Sequence, residues 1–198
     1  MADNKCTYCG IEVKDYNDSI MVPSENGYIS LCLRCYNKEI SKAAGIEYED
    51  IPLHPVVIKD TDGIEHEFHF SLRLMGDQQV LSSYEVKGAD SNGYEFNTIG
   101  DTEDGIFPLF SKLYARMLKA LGRKHIYKDT ETDSWQMTED DVVRGRIDCA
   151  EDSYDHSMIP MLVIDGKEIS WKEFGHMLMT FEGFNFKLQI FDQSDEID

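Results

Sequence analysis

Four of the five cysteines fall into two C-x-x-C pairs, Cys6-Thr7-Tyr8-Cys9 and Cys32-Leu33-Arg34-Cys35. Twenty-two residues separate the pairs. Two such pairs at this distance are a strong signal for one metal ion held by four thiolates, zinc above all. Within a pair, a tight backbone turn points both sulfurs at one ion. Gly10 follows the first pair, and backbone N–H groups there can turn toward the sulfurs without a side-chain clash. The second pair opens a helical stretch, where free N–H groups and the helix dipole favour the thiolate. An iron–sulfur group, another metal, or redox cysteines are the other readings of the same residues. Four Cys ligands leave no open position for an activated water, so the expected ion, Zn²⁺, is structural.

The elements that must position these cysteines are legible nearby. Asn26-Gly27 is a hairpin turn between two short apolar runs, Ile20-Met21-Val22 and Tyr28-Ile29-Ser30-Leu31. A helix is predicted from Leu33 to Ala44, with Leu33, Tyr36, Ile40, Ala43 and Ala44 at helical spacing and Gly45 as its stop. The order of CTYCG, the Asn26-Gly27 turn and LCLRCYNKEI resembles the treble-clef zinc fingers over about residues 4–45. The resemblance implies a zinc-binding fold. It implies no single function, because treble clefs serve in DNA-binding, RNA-binding, ubiquitin-pathway and purely structural proteins.

Beyond residue 50 the pattern is strands and amphipathic helices. Val56-Val57-Ile58, the Asp62-Gly63 turn and Ile64–Leu74 predict a hairpin. Even positions from Ile64 to Leu74 are apolar or His, and odd positions are mainly polar, as in a half-buried antiparallel strand. Val80–Val86 and Tyr94–Ile99 predict a second hairpin through Asn92-Gly93. A helix is predicted from Ile106 to Tyr127, with Phe110, Leu113, Tyr114, Met117 and Leu121 on one face and Lys112, Arg116, Lys119 and Arg123 on the other. Gly122 weakens its end. Residues 128–141 read as an acidic connector. Arg146–Ala150 and Met161–Ile164 read as strands, followed by the Asp165-Gly166 turn. Ser170 and Glu173 form a capping box for a helix carrying Phe174, Met177, Leu178 and Phe181, a stripe that serves as core or in part as a dimer surface. Alternation from Phe184 to Ile190 predicts a closing strand, making a strand–helix–strand unit.

The 198 residues carry a formal charge of −19, unevenly spread. Residues 1–50 hold 5 basic and 9 acidic residues, net −4; residues 51–128 hold 9 and 11, net −2; residues 129–198 hold 5 and 18, net −13. This balance disfavours generic nucleic-acid binding and an anionic membrane surface. No apolar run is long enough to span a membrane. The start, MADNKCTYCG, has no apolar signal core, and C-x-x-C pairs without one point to a reducing, cytoplasmic setting. The acidic third is either a solvated face or a surface for a basic partner. Lys112, Arg116, Lys119 and Arg123 are the candidate interaction residues. They are either solvated, paired with the acidic third, or in contact with phosphate or an acidic protein.

Other chemistry is thinly represented. His66 and His69 fall on opposite strand faces and make no chelating pair. Cys149 is expected to be a buried, inert thiol. No EF-hand, Walker, nucleotide-binding or nucleophile-elbow motif is present. The expected fold class is α+β: a treble-clef-like four-cysteine zinc module over 1–50, antiparallel strands with an amphipathic helix over 51–128, and an acidic segment over 129–198 packed with it. The expected function is a non-catalytic, zinc-stabilised interaction or regulatory protein with a protein partner. The alternatives are a nucleic-acid-associated zinc-finger protein, or an enzyme whose site is assembled from dispersed residues.

Overall fold

The structure, a computed structural model, describes residues 5–13, 16–25, 27–87, 93–149 and 159–195. It is an α+β protein with antiparallel pairing in every sheet. Strands β1 (Ser19–Ser24) and β2 (Gly27–Cys32) form a hairpin in register Ser19↔Cys32 to Ser24↔Gly27. Asn26 of the expected turn lies outside the described residues. Helix α1 runs Leu33–Ala44 and ends on Gly45, whose φ of 70° suits a residue without Cβ.

The central sheet has the order β3 (Val56–Lys59), β4 (Glu65–Met75), β5 (Gln78–Glu85) and β6 (Glu95–Asp101). The Asp62-Gly63 turn joins β3 to β4 as expected. Asn92, of the turn expected between β5 and β6, lies outside the described residues. Helix α2 (Ile106–Leu121) covers one sheet face. Leu109, Leu113, Met117 and Leu121 recur at helical spacing and pack on Ile58, Phe68, Phe70 and Leu81. Each such buried side chain is worth roughly 1.5–3 kcal/mol relative to exposure.

The last third builds a second, smaller core. Its strands are β7 (Ile126–Lys128) paired with β8 (Trp135–Met137), then β9 (Gly145–Cys149), β10 (Pro160–Ile164) and β11 (Lys167–Ser170) in the order β11-β10-β9. Helix α3 (Trp171–Met179) packs on β8, β10 and β11. Both halves of the expected capping box are formed: Glu173 N–H donates to Ser170 Oγ at 3.2 Å, and Ser170 N–H donates to Glu173 at 2.9 Å. Ile126, Ile164, Ile169 and Met177 form this core.

Four expectations are corrected. Helix α2 stops at Leu121, because the chain turns at Gly122 and carries Ile126 into the second core. The 128–141 connector contains β8; Asp129 closes its loop by accepting from Glu131 N–H and Thr132 Oγ–H. Cys149 is exposed on β9. The α3 stripe, expected as core or in part a surface, has Met177 buried and Leu178 exposed. Residues 184–190 form no strand, so α3 is preceded by a hairpin and followed by a segment without strand pairing.

Candidate metal centre

The knuckle at Cys6–Cys9 is closed by its own backbone. Gly10 N–H donates to Cys6 O at 2.8 Å, and Cys6 N–H donates to Ile11 O at 2.9 Å. Thr7 N–H donates to Ser30 O at 2.8 Å, which ties the knuckle to β2. Gly10 adopts φ 71°, the left-handed turn the sequence required of it. Cys32 ends β2 as the N-cap of α1, and Cys35 lies in the first helical turn. These three elements bring the Sγ atoms of Cys6, Cys9, Cys32 and Cys35 within 4.8 Å of one another. The Cys9 and Cys32 sulfurs are 3.7 Å apart. Among the described residues this is the one group of metal-ligating side chains so gathered.

The sulfurs are not equivalent. Burial works against ionisation of Cys6, but backbone N–H groups of Cys32, Cys9 and Tyr8 converge on it and bring its pKa down to about 6. Burial pushes the Cys35 thiol up to about 12, and contacts with the Cys9, Cys32 and Cys6 sulfurs push the same way. Cys32 is also raised, first by burial. The helix start was expected to favour the thiolate at the second pair. It does so at Cys32 through the Cys35 N–H, but burial outweighs that bond; at Cys6 the converging N–H groups, that of Cys32 first, outweigh burial. An open hollow of about 530 Å³ lies beside the cluster, lined by Cys9, Gly10, Ile11, Asp18, Cys32, Leu33 and Arg34.

Asn37 couples this module to the central sheet. Strand β4 continues past β3, which pairs it only from Glu65 to Phe68. On the uncovered edge, Asn37 Nδ2 donates to Leu72 O at 2.8 Å, and Leu74 N–H donates to Asn37 Oδ1 at 2.9 Å. The amide thus takes the place of a missing strand. Tyr84 Oη–H donating to Asp18 at 3.3 Å is a second tie.

Three family models match the chain in series. Each is described as a domain of unknown function: DUF7685 over residues 5–47, DUF7686 over 49–122 and DUF7713 over 125–195. No curated protein and no solved structure matches the chain.

The four candidate interaction residues do not form one open stripe. Lys112 is exposed and lines a second hollow of about 220 Å³ with Gln79, Asp101 and Asp104. Arg116 donates to the carbonyls of Asn97 and Ser194 at 2.6 and 3.1 Å. Lys119 is exposed. Arg123 lies beyond the end of α2 and pairs with Asp140 at 2.8 Å.

Sequence reasoning missed a buried polar cluster where the central sheet meets the last third. His66 Nδ1 lies 2.7 Å from Glu85, and Nε2 lies 3.2 Å from Asp60. Glu85 also accepts from Tyr94 N–H at 3.1 Å and pairs with Lys87 at 3.3 Å. Lys87 in turn donates to Gly166 O. Asp165 accepts the N–H groups of His125 and Ile126 at 2.7 and 2.9 Å. Burial, then the Asp165, Glu85 and Asp60 carboxylates, push the Tyr94 hydroxyl well above its usual range. The available signal was an inward-facing His on an apolar strand face. Its partners lie 6 and 19 residues away, on other elements.

Proposed function

We propose that the N-terminal cysteines hold one structural Zn²⁺ in a treble-clef-type module, and that the chain is a non-catalytic interaction protein built on it. The carrying observation is the convergence of four sulfurs from a knuckle and a helix start within 4.8 Å. A tetrahedral zinc–sulfur shell with bonds of about 2.3 Å sets its sulfurs about 3.8 Å apart. The Cys9–Cys32 separation of 3.7 Å fits it. Four thiolates fill the shell, so the ion supplies folding energy and leaves no site for water activation. The three segments, about 1–50, 51–128 and 129–198, are read as three units. The separate matched ranges support that division.

The interaction role rests on charge. The last third carries net −13, and Arg116 and Arg123 of the basic group are engaged within the chain. This favours a basic protein partner over a polyanion. Metal analysis of the purified chain should find one zinc per molecule, and Cys35→Ser should lose it. Immobilised protein should retain specific protein partners after nuclease treatment. Partners that vanish with nuclease would move the reading to nucleic acid.

A further inference from the structure

After α3, a turn over Thr180–Gly183 redirects the chain, with Gly183 at φ 90° and Phe184 N–H donating to Phe181 O at 2.9 Å. Residues 184–190 then run with no strand pairing. The far end is held. Asn97 Nδ2 donates to Gln193 Oε1 at 2.9 Å, and Arg116 donates to the backbone carbonyls of Gln193, Ser194 and Asp195. Between these anchors Phe184, Phe186, Leu188 and Ile190 are 75%, 90%, 74% and 68% exposed. They alternate with Asn185, Lys187 and Gln189. This is an amphipathic strand pattern, fixed at both ends and bare in the middle.

We propose that residues 185–191 form an interface with the same segment of a second copy, paired antiparallel about a two-fold axis at Leu188. Three observations select this occupant. The first is charge. In a chain of net −19, residues 183–191 contain no acidic residue and one lysine, with Glu182 and Asp192 just outside. Two copies can approach there without carboxylates meeting.

The second is register. Directly opposed residues in an antiparallel pair share a face, so the apolar row meets itself only when even numbers face even numbers. An axis at Lys187 opposes two like charges, which destabilises. An axis at Leu188 opposes Leu188 to itself, Phe186 to Ile190 and Lys187 to Gln189, and leaves Phe184 opposite Asp192 at the margin. The third is area. Edge pairing joins Phe186, Leu188 and Ile190 of both copies into one apolar face and covers them in part, a contact at the low end of the interface range, below about 1,200 Å². The exposed Trp171, Leu178 and Met179 of α3 add apolar surface in the same C-terminal unit. Such a contact is isologous and closes at two copies.

The test uses the metal-loaded full chain and does not depend on the identity of the metal. Light scattering over a dilution series should give a dimer. Leu188→Asp should weaken association by more than about tenfold. That side chain is exposed, so circular dichroism and melting should keep the monomer's profile. In a Cys149→Ser background, Leu188→Cys should cross-link to itself under mild oxidation, and Lys187→Cys should not. A monomer at every concentration would overturn the proposal. So would a dimer indifferent to Leu188→Asp, an open-ended assembly, cross-linking at 187 instead of 188, or protected 185–190 amides in a monomer.

Discussion

Asn37 shows how much one side chain can decide. It is 1% exposed, and its amide satisfies two backbone groups on the edge of β4, Leu72 O and Leu74 N–H. Asn37→Ala leaves Leu72 O and Leu74 N–H buried without partners, each costing about 1–3 kcal/mol. Denaturant unfolding of metal-loaded protein should show a loss of roughly 2–4 kcal/mol. Asp60 makes a pH prediction. Burial opposes its ionisation, but the N–H of Ile64, His66 and the N–H of Asp62 outweigh it and hold the carboxyl below its usual range. A carboxyl depressed in the folded state stabilises above its unfolded value, about 3.9, and that contribution fades as pH falls through the folded value. The stability gap between wild type and Asp60→Asn, from urea midpoints, should therefore be full at neutral pH and close below about pH 4. The four-cysteine cluster was legible at this scale, because C-x-x-C spacing is a local signal. Asn37 and the Asp60–His66–Glu85 cluster were not, because nothing in a sequence pairs residues from separate elements.

At the scale of elements, local rules held where a short motif carries the physics. The capping box at Ser170 and Glu173 is one case, and Ser170→Ala should cost about 0.5–2 kcal/mol in the unfolding of the last third. The alternation that marked β4 is another, since its apolar face meets α2. Alternation from Phe184 to Ile190 is as regular, yet no strand forms there, because alternation cannot say what a segment pairs with. Helix α2 was overextended because periodicity does not see that Ile126 is needed in a different core. Gly166 marks where two elements nearly touch. A Cβ there would sit 2.7 Å from the Tyr94 ring, at a φ of 64° that L residues avoid. Gly166→Ala should lower the melting temperature by several degrees, through strain of about 1–3 kcal/mol.

Across the whole molecule, the cysteine module, the central sheet and the acidic third are joined by a few polar contacts. Asn37 links the first two, and Lys87 to Gly166 and Arg116 to the C-terminal carbonyls link the last two. The fold class was readable, because composition and periodicity report elements. The joints were not. Among the described residues, no helix is long and apolar enough to cross a membrane. Loss of the ion should act in two stages. The first ~45 residues lose order, since metal supplies much of the folding energy of such modules. The β4 edge then weakens as α1 and Asn37 leave it, while the α2 core persists.

The most direct measurement is native mass spectrometry of wild type and Cys35→Ser, paired with melting curves with and without chelator. The account predicts one zinc per wild-type chain, none on Cys35→Ser, and an early unfolding step that chelator produces in wild type and Cys35→Ser shows without it. Full metal content in Cys35→Ser, or a wild-type chain that purifies without metal and melts the same with chelator, would contradict the four-thiolate centre.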